Sequence, residues 1–440
     1  MAPMRDSTAE LAEWVSDVRT RTIELVSDLD DEQIMGPRIS IINPLLWEIG
    51  HMAWFQEKWI LRDVCKQKPL RADGDTLWDS MAIPHDTRWD LPLPSREETY
   101  AYMREVSDRV IDQLLKGKPN EELIYFVRYT VFHEDMHSEA LTYARQTLAY
   151  PPPKFSTDAG PRTAETDGGP LPGYVEHPGG TFLLGASREE PFVFDNEKWA
   201  HPVELKPFAI ARACVTQAEF AAFVDDDGYR RRDLWSEEGW EWREREGATH
   251  PVYWKRESRG DWLRRHFDAW GRLEPHLPVI HVNWFEVEAY CRWASCRLPT
   301  EAEWEAAAAL DPDREGEGPT SRNSRFPWGD EAPNPQRANL DWNAMGCIDV
   351  GALPEGDSAF GCRQMLGNVW EWTSSVFLPY PGFEIDPYKE YSEPWFGTRK
   401  VLRGGSWVTR SRMLRNTWRN YYTPDRRDVW AGFRTCALDQ

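Results

Sequence analysis

A break in sequence character at residues 150–178 constrains this chain more than any other feature. The stretch YPPPKFSTDAGPRTAETDGGPLPGYVEH carries a triple proline and many Gly, Ser and Thr residues, a composition suited to a linker and not to a packed element. Before it the sequence has helical periodicity. After it come short elements and long loops rich in Trp, Gly, Asn and Pro. The expected organisation is a first domain over 1–150, a linker over 151–178 and a second domain over 179–440. A length of 440 residues agrees, because single cores rarely grow past about 250–300 residues.

Four stretches before the break repeat apolar residues at helical spacing. Leu11, Trp14, Val15, Val18, Ile23 and Val26 do so within residues 6–30, after the candidate caps Ser7 and Thr8. A second helix is expected from Leu45 to Val64, and a third from Ser95 to Leu115, where Ser95 and Glu98 have capping-box spacing. Residues 65–95 form an irregular connection between them. The fourth helix is expected over 121–148. Four such helices imply an antiparallel bundle, and bundles build metal sites from side chains on facing helices.

In the fourth stretch, YFVRYTVFHEDMHSEALTYARQTL, His133 and His137 are four residues apart, so a helix points both imidazoles the same way. His51 lies in the second helix on the side of Trp47, Trp54 and Phe55, where a buried polar ring needs a partner. The HxxxH pair alone also suits paired or surface histidines; a third histidine on another bundle helix favours a metal. Three nitrogen ligands leave coordination positions open, which suits a catalytic metal, zinc or iron, rather than a structural one. Glu134, Asp135 and Glu139 flank the pair. Glu139 is the expected acceptor for a ligand N–H, with a solvated helix carboxylate as the alternative.

Composition excludes several functions. The formal net charge of −21, with 28% charged and 41% hydrophobic residues, disfavours nucleic acid and anionic membranes as partners. No leader-like apolar run opens the sequence and no stretch reaches bilayer length, so a cytoplasmic protein is expected. Cys65, Cys214, Cys291, Cys296, Cys347, Cys362 and Cys436 are scattered without a CxxC pair, which predicts reduced cysteines rather than a disulfide framework or a thiolate zinc site.

In the second domain, strands are expected at Gly179–Gly185 and Val203–Ala211, and helices at Gln217–Asp225, Trp284–Ala294 and Trp304–Ala309, with Thr300 and Glu303 at capping-box spacing. No nucleotide-binding or nucleophile-elbow motif is present. GNVWEW and LRGGSW read as tight glycine turns within the core. The block Arg415–Arg434 is a second polar and aromatic cluster, of a kind that can hold a quaternary ammonium by cation–π attraction.

WEIGHMAWFQEKW, HEDMHSE, FDNE, HVNWFEVEAYCRW, RLPTEAEWE, FPWG, GNVWEW and RGGSW occur in this order. Together they resemble the hercynine-processing non-heme iron sulfoxide synthases of ergothioneine biosynthesis, over nearly the whole chain. The resemblance implies an α+β chain, a DinB-like four-helix bundle joined to a formylglycine-generating-enzyme-like (C-type-lectin-like) domain. It also implies Fe(II) on His51, His133 and His137, dioxygen as co-substrate, hercynine as substrate and an active site between the domains. A tyrosine of the second domain supports proton transfer in that family; Tyr380 in SSVFLPYPGF is the best match, with Tyr421 and Tyr422 as rivals. Asn420, Tyr421 and Tyr422 match the segment that holds hercynine, with Trp418 and Asp425 beside it.

Within the family, NPLLWEIGHMAWFQEKW, HDTRWDLPLP and the segment ending in QTLAYPPP are most similar to the selenoneine synthase branch, which joins hercynine to a selenosugar. Relatives that use gamma-glutamylcysteine tend to carry an arginine pair at i and i+3 in the first connection; His85 and Arg88 stand there in this chain. Two carboxylates benefit from two guanidinium forks, so the loss of one favours an uncharged donor, with Arg88 as a substrate contact. The alternative is a C–S bond to gamma-glutamylcysteine or cysteine. Formylglycine generation, a DinB-like zinc enzyme and a non-enzymatic binding module each leave one half of the sequence without a role. Whether the chain is a monomer or a homodimer is open at this level.

Overall fold

The computed structural model describes residues 7–117, 119–156, 167–257, 260–309 and 324–438. The chain divides into two compact units, residues 1–158 and 159–440.

The first unit is built on helices α1 (Thr8–Glu24), α2 (Asp31–Met35), α3 (Leu45–Gln56), α4 (Gly74–Trp78), α5 (Arg96–Lys116) and α6 (Glu121–Thr147). The long helices α1, α3, α5 and α6 form the expected bundle, with α1 and α3 each packed on both α5 and α6. Local sequence sets their starts. The Ser7 hydroxyl caps α1 by accepting from the Glu10 amide, Ser95 and Glu98 form a reciprocal box at α5, and Asn120 caps α6. α1 ends at Glu24, short of the expected residue 30, and the Asp30–Gln33 capping box starts the short α2 instead. Past Gln56 the second helix continues to Val64 as π-helical turns.

Leu11, Val15, Val18, Ile49, Ala53, Met103, Val106, Val110, Val127 and Val131 fill the bundle core. A buried ion pair crosses it: Arg19 meets Glu134 at 3.1 Å, and the Thr22 hydroxyl donates to the same carboxylate at 2.8 Å. Removing either charge would leave the other uncompensated, which is the costly case for buried pairs.

The second unit begins with β1 (Tyr174–His177), inside the stretch expected to be linker, and residues 157–166 of that stretch lie outside the described residues. Then follow β2 (Gly180–Leu184), β3 (His201–Leu205), β4 (Phe208–Ala211), α7 (Gln217–Asp225), α8 (Glu237–Glu246), β5 (Trp254–Arg256), β6 (Trp262–His266), β7 (Ala269–Arg272), α9 (Trp284–Trp293), β8 (Cys296–Arg297) and α10 (Glu301–Ala309). The chain closes with β9 (Trp370–Val376), β10 (Lys400–Arg403), β11 (Asn420–Tyr422), β12 (Ala431–Gly432) and β13 (Cys436–Ala437). The single strand expected over 203–211 is two, because Pro207 interrupts the backbone donors between β3 and β4. Two sheets have orders β1-β4-β13-β8 and β11-β10-β9-β12, beside a β2-β3 hairpin and the meander β5-β6-β7.

Aromatic burial and paired charges replace long elements here. Trp304, Trp370, Trp372, Trp407 and Trp430 are fully buried, as are Arg403, Arg419 and Arg434. Arg403 and Arg419 share Glu301 at 2.9 and 2.7 Å, and Arg434 grips Glu371 at 2.6 Å. Trp304 Nε1 also donates to Glu371 at 2.8 Å, so RLPTEAEWE, GNVWEW and LRGGSW meet in one core. Gly404 shows why that turn needs glycine: its φ is +97° and a Cβ would stand 2.6 Å from the Met365 carbonyl. All seven cysteines are free thiols, and no helix among the described residues is long and apolar enough to cross a membrane.

Candidate metal centre

The α3 helix presents His51, and α6 presents His133 and His137, so that one ligand nitrogen from each falls within 4.8 Å of the others. His133 and His137 face each other through Nε2 atoms 3.2 Å apart. An ion held about 2.1 Å from each nitrogen needs roughly this separation between neighbouring ligands.

The other ring nitrogens fix which lone pairs are free. His51 Nδ1 lies 2.8 Å from the Trp78 carbonyl at the end of α4. A carbonyl can only accept, so Nδ1 carries the proton and Nε2 keeps its lone pair. His137 Nδ1 is bonded to Glu48 Oε1 in the same sense. Both imidazoles are therefore turned to present Nε2, the arrangement that orients metal-bound histidines.

Packing restricts the rings further. His133 stacks on Phe55 with centroids 3.7 Å apart, and His51 stacks on Trp47 at 5.0 Å. His51 and His133 are buried, while His137 is part-exposed. Burial, reinforced by neighbouring imidazoles, lowers the His51 pKa to about 3 and holds His133 well below its usual range. Neutral rings are what a metal requires. Burial opposes ionisation of Glu48, but His137 beside it outweighs that and holds the carboxyl at about 2. The donor set and the His51 and His137 tautomers fit a divalent metal with open coordination positions.

Glu48, not among the residues expected from the sequence, bonds the His137 imidazole, and the expected acceptor Glu139 is buried on α6 rather than solvated. Glu48 had a visible signal. It stands three residues before His51 in an otherwise apolar helix, on the same face.

Arg88 is 8% exposed and its guanidinium is engaged within the protein. It donates to Asn43 at 2.7 Å and to the Ser80 and Ile83 carbonyls at 3.1 and 3.2 Å, and lies 3.9 Å over the Trp47 ring. His85 pairs through Nε2 with the Ile42 carbonyl at 2.8 Å.

The remaining candidates lie in the second unit. Tyr380 is packed with Phe182, Leu184, Ala302 and Ala306, and Arg419 sits 4.1 Å over its ring. Its hydroxyl is buried with no hydrogen-bond partner among the described residues, and burial pushes its pKa well above the usual value. Asn420, Tyr421 and Tyr422 form β11, paired in register with Leu402, Val401 and Lys400. Tyr421 stacks on Phe377 at 4.0 Å and donates its hydroxyl to the Tyr391 carbonyl, while Arg426 lies 5.2 Å over Tyr422. Trp418 is buried against Trp370, and Asp425 is exposed.

Comparison with known proteins agrees with both halves. Residues 15–141 match the DinB superfamily and residues 160–438 match the sulfatase-modifying factor enzyme 1-like domain. A formylglycine-generating enzyme of Streptomyces coelicolor is 33% identical over 332 residues, 66% of this chain and 96% of that protein. A hercynine oxygenase of Mycolicibacterium thermoresistibile is 40% identical over 434 residues, 97% of this chain and 94% of that protein. One of Mycobacterium tuberculosis is 37% identical over 432 residues, covering 97% and 98%. Because this similarity runs through bundle and second unit alike, the chain belongs to the hercynine oxygenase family of oxygen-dependent oxidoreductases.

Proposed function

We propose that this chain is an Fe(II)- and dioxygen-dependent enzyme that joins the imidazole carbon of hercynine to a selenosugar through a C–Se bond, giving a selenoxide on the way to selenoneine. One observation carries the metal reading: three imidazoles converge in a chain related to hercynine oxygenases over nearly its full length. Bound at His51, His133 and His137, iron would supply dioxygen activation and open positions for the reactants.

The protein's own groups do the rest. Glu48 and the Trp78 carbonyl hold the ligand rings in one tautomer, and Phe55 and Trp47 wall two of them with aromatic surface. Tyr380, a protonated phenol with its hydroxyl unpaired, has the form a proton donor needs. Asn420, Tyr421 and Tyr422 supply an amide and two ring faces suited to a trimethylammonium imidazole, with Trp418 supporting the turn and Asp425 available at its exposed end.

The donor is argued at Arg88. Its fork is spent on Asn43 and on two backbone carbonyls, and His85 bonds a backbone carbonyl, so neither fits the role of a dicarboxylate clamp. That favours an uncharged selenosugar. The second reading is C–S bond formation with gamma-glutamylcysteine or cysteine; the identity with hercynine oxygenases supports hercynine as the substrate in either case.

The deciding experiment reconstitutes the protein with Fe(II) anaerobically. Oxygen and hercynine are then added with a selenosugar, a thiosugar, cysteine or gamma-glutamylcysteine in parallel, and products are identified by mass. Selenoxide from the selenosugar is expected, and consumption of gamma-glutamylcysteine alone would overturn the selenium reading. In the same assay Tyr380→Phe should retain iron but slow or redirect oxidation; unchanged product and rate would remove Tyr380 from the proton-donor role.

A further inference from the structure

We infer that Arg88 is a positioning residue of the metal centre, steadying two of the three ligand histidines, rather than a contact for the chalcogen donor. The inference rests on the reading of His51, His133 and His137 as a metal site.

One path runs to His137. Arg88 Nη1 donates to Asn43 Oδ1 at 2.7 Å, Asn43 Nδ2 donates to Glu48 Oε2 at 2.5 Å, and the other oxygen of Glu48 accepts from His137 Nδ1. A guanidinium cannot accept and a carboxylate cannot donate, so the Asn43 amide satisfies both neighbours in one orientation only. The chain of bonds thereby sets the direction in which Glu48 approaches the ring.

The other path runs to His51. The Arg88 guanidinium lies 3.9 Å over Trp47, and Trp47 stacks on the His51 ring with centroids 5.0 Å apart and planes 9° apart. Trp47 is pinned in its plane by donating Nε1 to the Leu77 carbonyl at 2.7 Å. Arg88 is itself anchored by the Ser80 and Ile83 carbonyls, in the connection that also supplies the Trp78 carbonyl to His51 Nδ1. The loop between α4 and α5 is therefore the outer support of the metal site. A guanidinium suits the place because it can donate in a fixed fork and stack on an indole at once, which an ammonium cannot.

The test is a Co(II) titration of the full-length metal-free protein without hercynine or donor, read by the visible absorption of bound cobalt. Arg88→Met keeps a stem over Trp47 but loses the fork, and Asn43→Leu cuts the link to Glu48 with the same number of side-chain heavy atoms. Each should weaken Co(II) by about tenfold or more, in the range for lost outer partners of metal ligands, and shift the cobalt bands. Because Asn43 lies on one of the two paths from Arg88, the double variant should lose less affinity than the product of the two single losses. Wild-type affinity and spectrum in Arg88→Met would overturn the inference, since a donor contact leaves substrate-free metal binding unchanged. Multiplying losses in the double variant would overturn the shared path. Lower thermal stability with an unaltered cobalt spectrum would also overturn it, by showing a structural role alone. If Arg88→Met does not fold, Asn43→Leu decides: lost affinity supports the path and wild-type binding overturns it. Failure of the wild-type protein to bind Co(II) would instead overturn the metal reading.

Discussion

At the scale of single residues, the triad shows how packing and hydrogen bonds orient three imidazoles toward one another. Desolvation disfavours the charged forms of His51 and His133, and each Nδ1 of His51 and His137 is tied to an acceptor, turning Nε2 toward the other rings. His133→Ala or His137→Ala should therefore lose stoichiometric metal and oxygen-dependent turnover. The drop in metal affinity should exceed the ~10–100-fold typical of losing an outer partner. Metal analysis after reconstitution checks this, and full activity in either variant would sink the ligand assignment. The pair at i and i+4 was readable in the sequence because helix geometry is local. Glu48, by contrast, reaches His137 from α3, a contact that only helix packing creates.

At the scale of elements, α3 and α4 must approach closely for the Trp78 carbonyl to reach His51. Gly50 makes that approach possible: a Cβ there would stand 2.3 Å from Trp78 Nε1 and 2.4 Å from its Cε2. Trp78 is also held from its other neighbours, with Tyr102 stacked on it at 5.2 Å. Gly50→Ala should thus cost about 1–3 kcal/mol, the usual penalty for overpacking, and weaken Co(II) by displacing the carbonyl that orients His51. Denaturant unfolding and cobalt titration together check it; wild-type values in both would show that α4 yields freely. Helix starts at Ser7, Ser95 and Asn120 follow from side chains bonding to amides within a few residues. The short α4 has no comparable side-chain cap and sits in a stretch read as irregular, because contact with α3 rather than local propensity defines it.

At the scale of the whole molecule, stability should depend on pH through buried carboxylates. Asp195 of the FDNE segment is fully buried beside Ser392, and burial raises its pKa from 3.8 to about 6. The folded state then binds a proton more tightly than the unfolded state. Its stabilising contribution is complete below pH 3.8 and is lost as pH rises through 6, about 3 kcal/mol in all at 1.36 kcal/mol per pKa unit. Asp195→Asn should flatten this part of the pH–stability curve and be more stable than wild type near neutrality. Urea unfolding at pH 4 and pH 7 measures it, and an equal stability difference at both pH values would contradict it.

The sequence by itself determined the two-part organisation, the four long helices, the capping boxes and the candidate histidines His51, His133 and His137. Each depends on composition, or on periodicity and spacing along individual helices. Tertiary structure decided the partners of those residues: Glu48 for His137, the Trp78 carbonyl for His51 and the engaged fork of Arg88. It also decided the core of the second unit, where Arg403, Arg419 and Arg434 meet glutamates 63 to 118 residues away. Such contacts join segments distant in the chain, and no periodicity records which side chains will meet when apolar faces pack together.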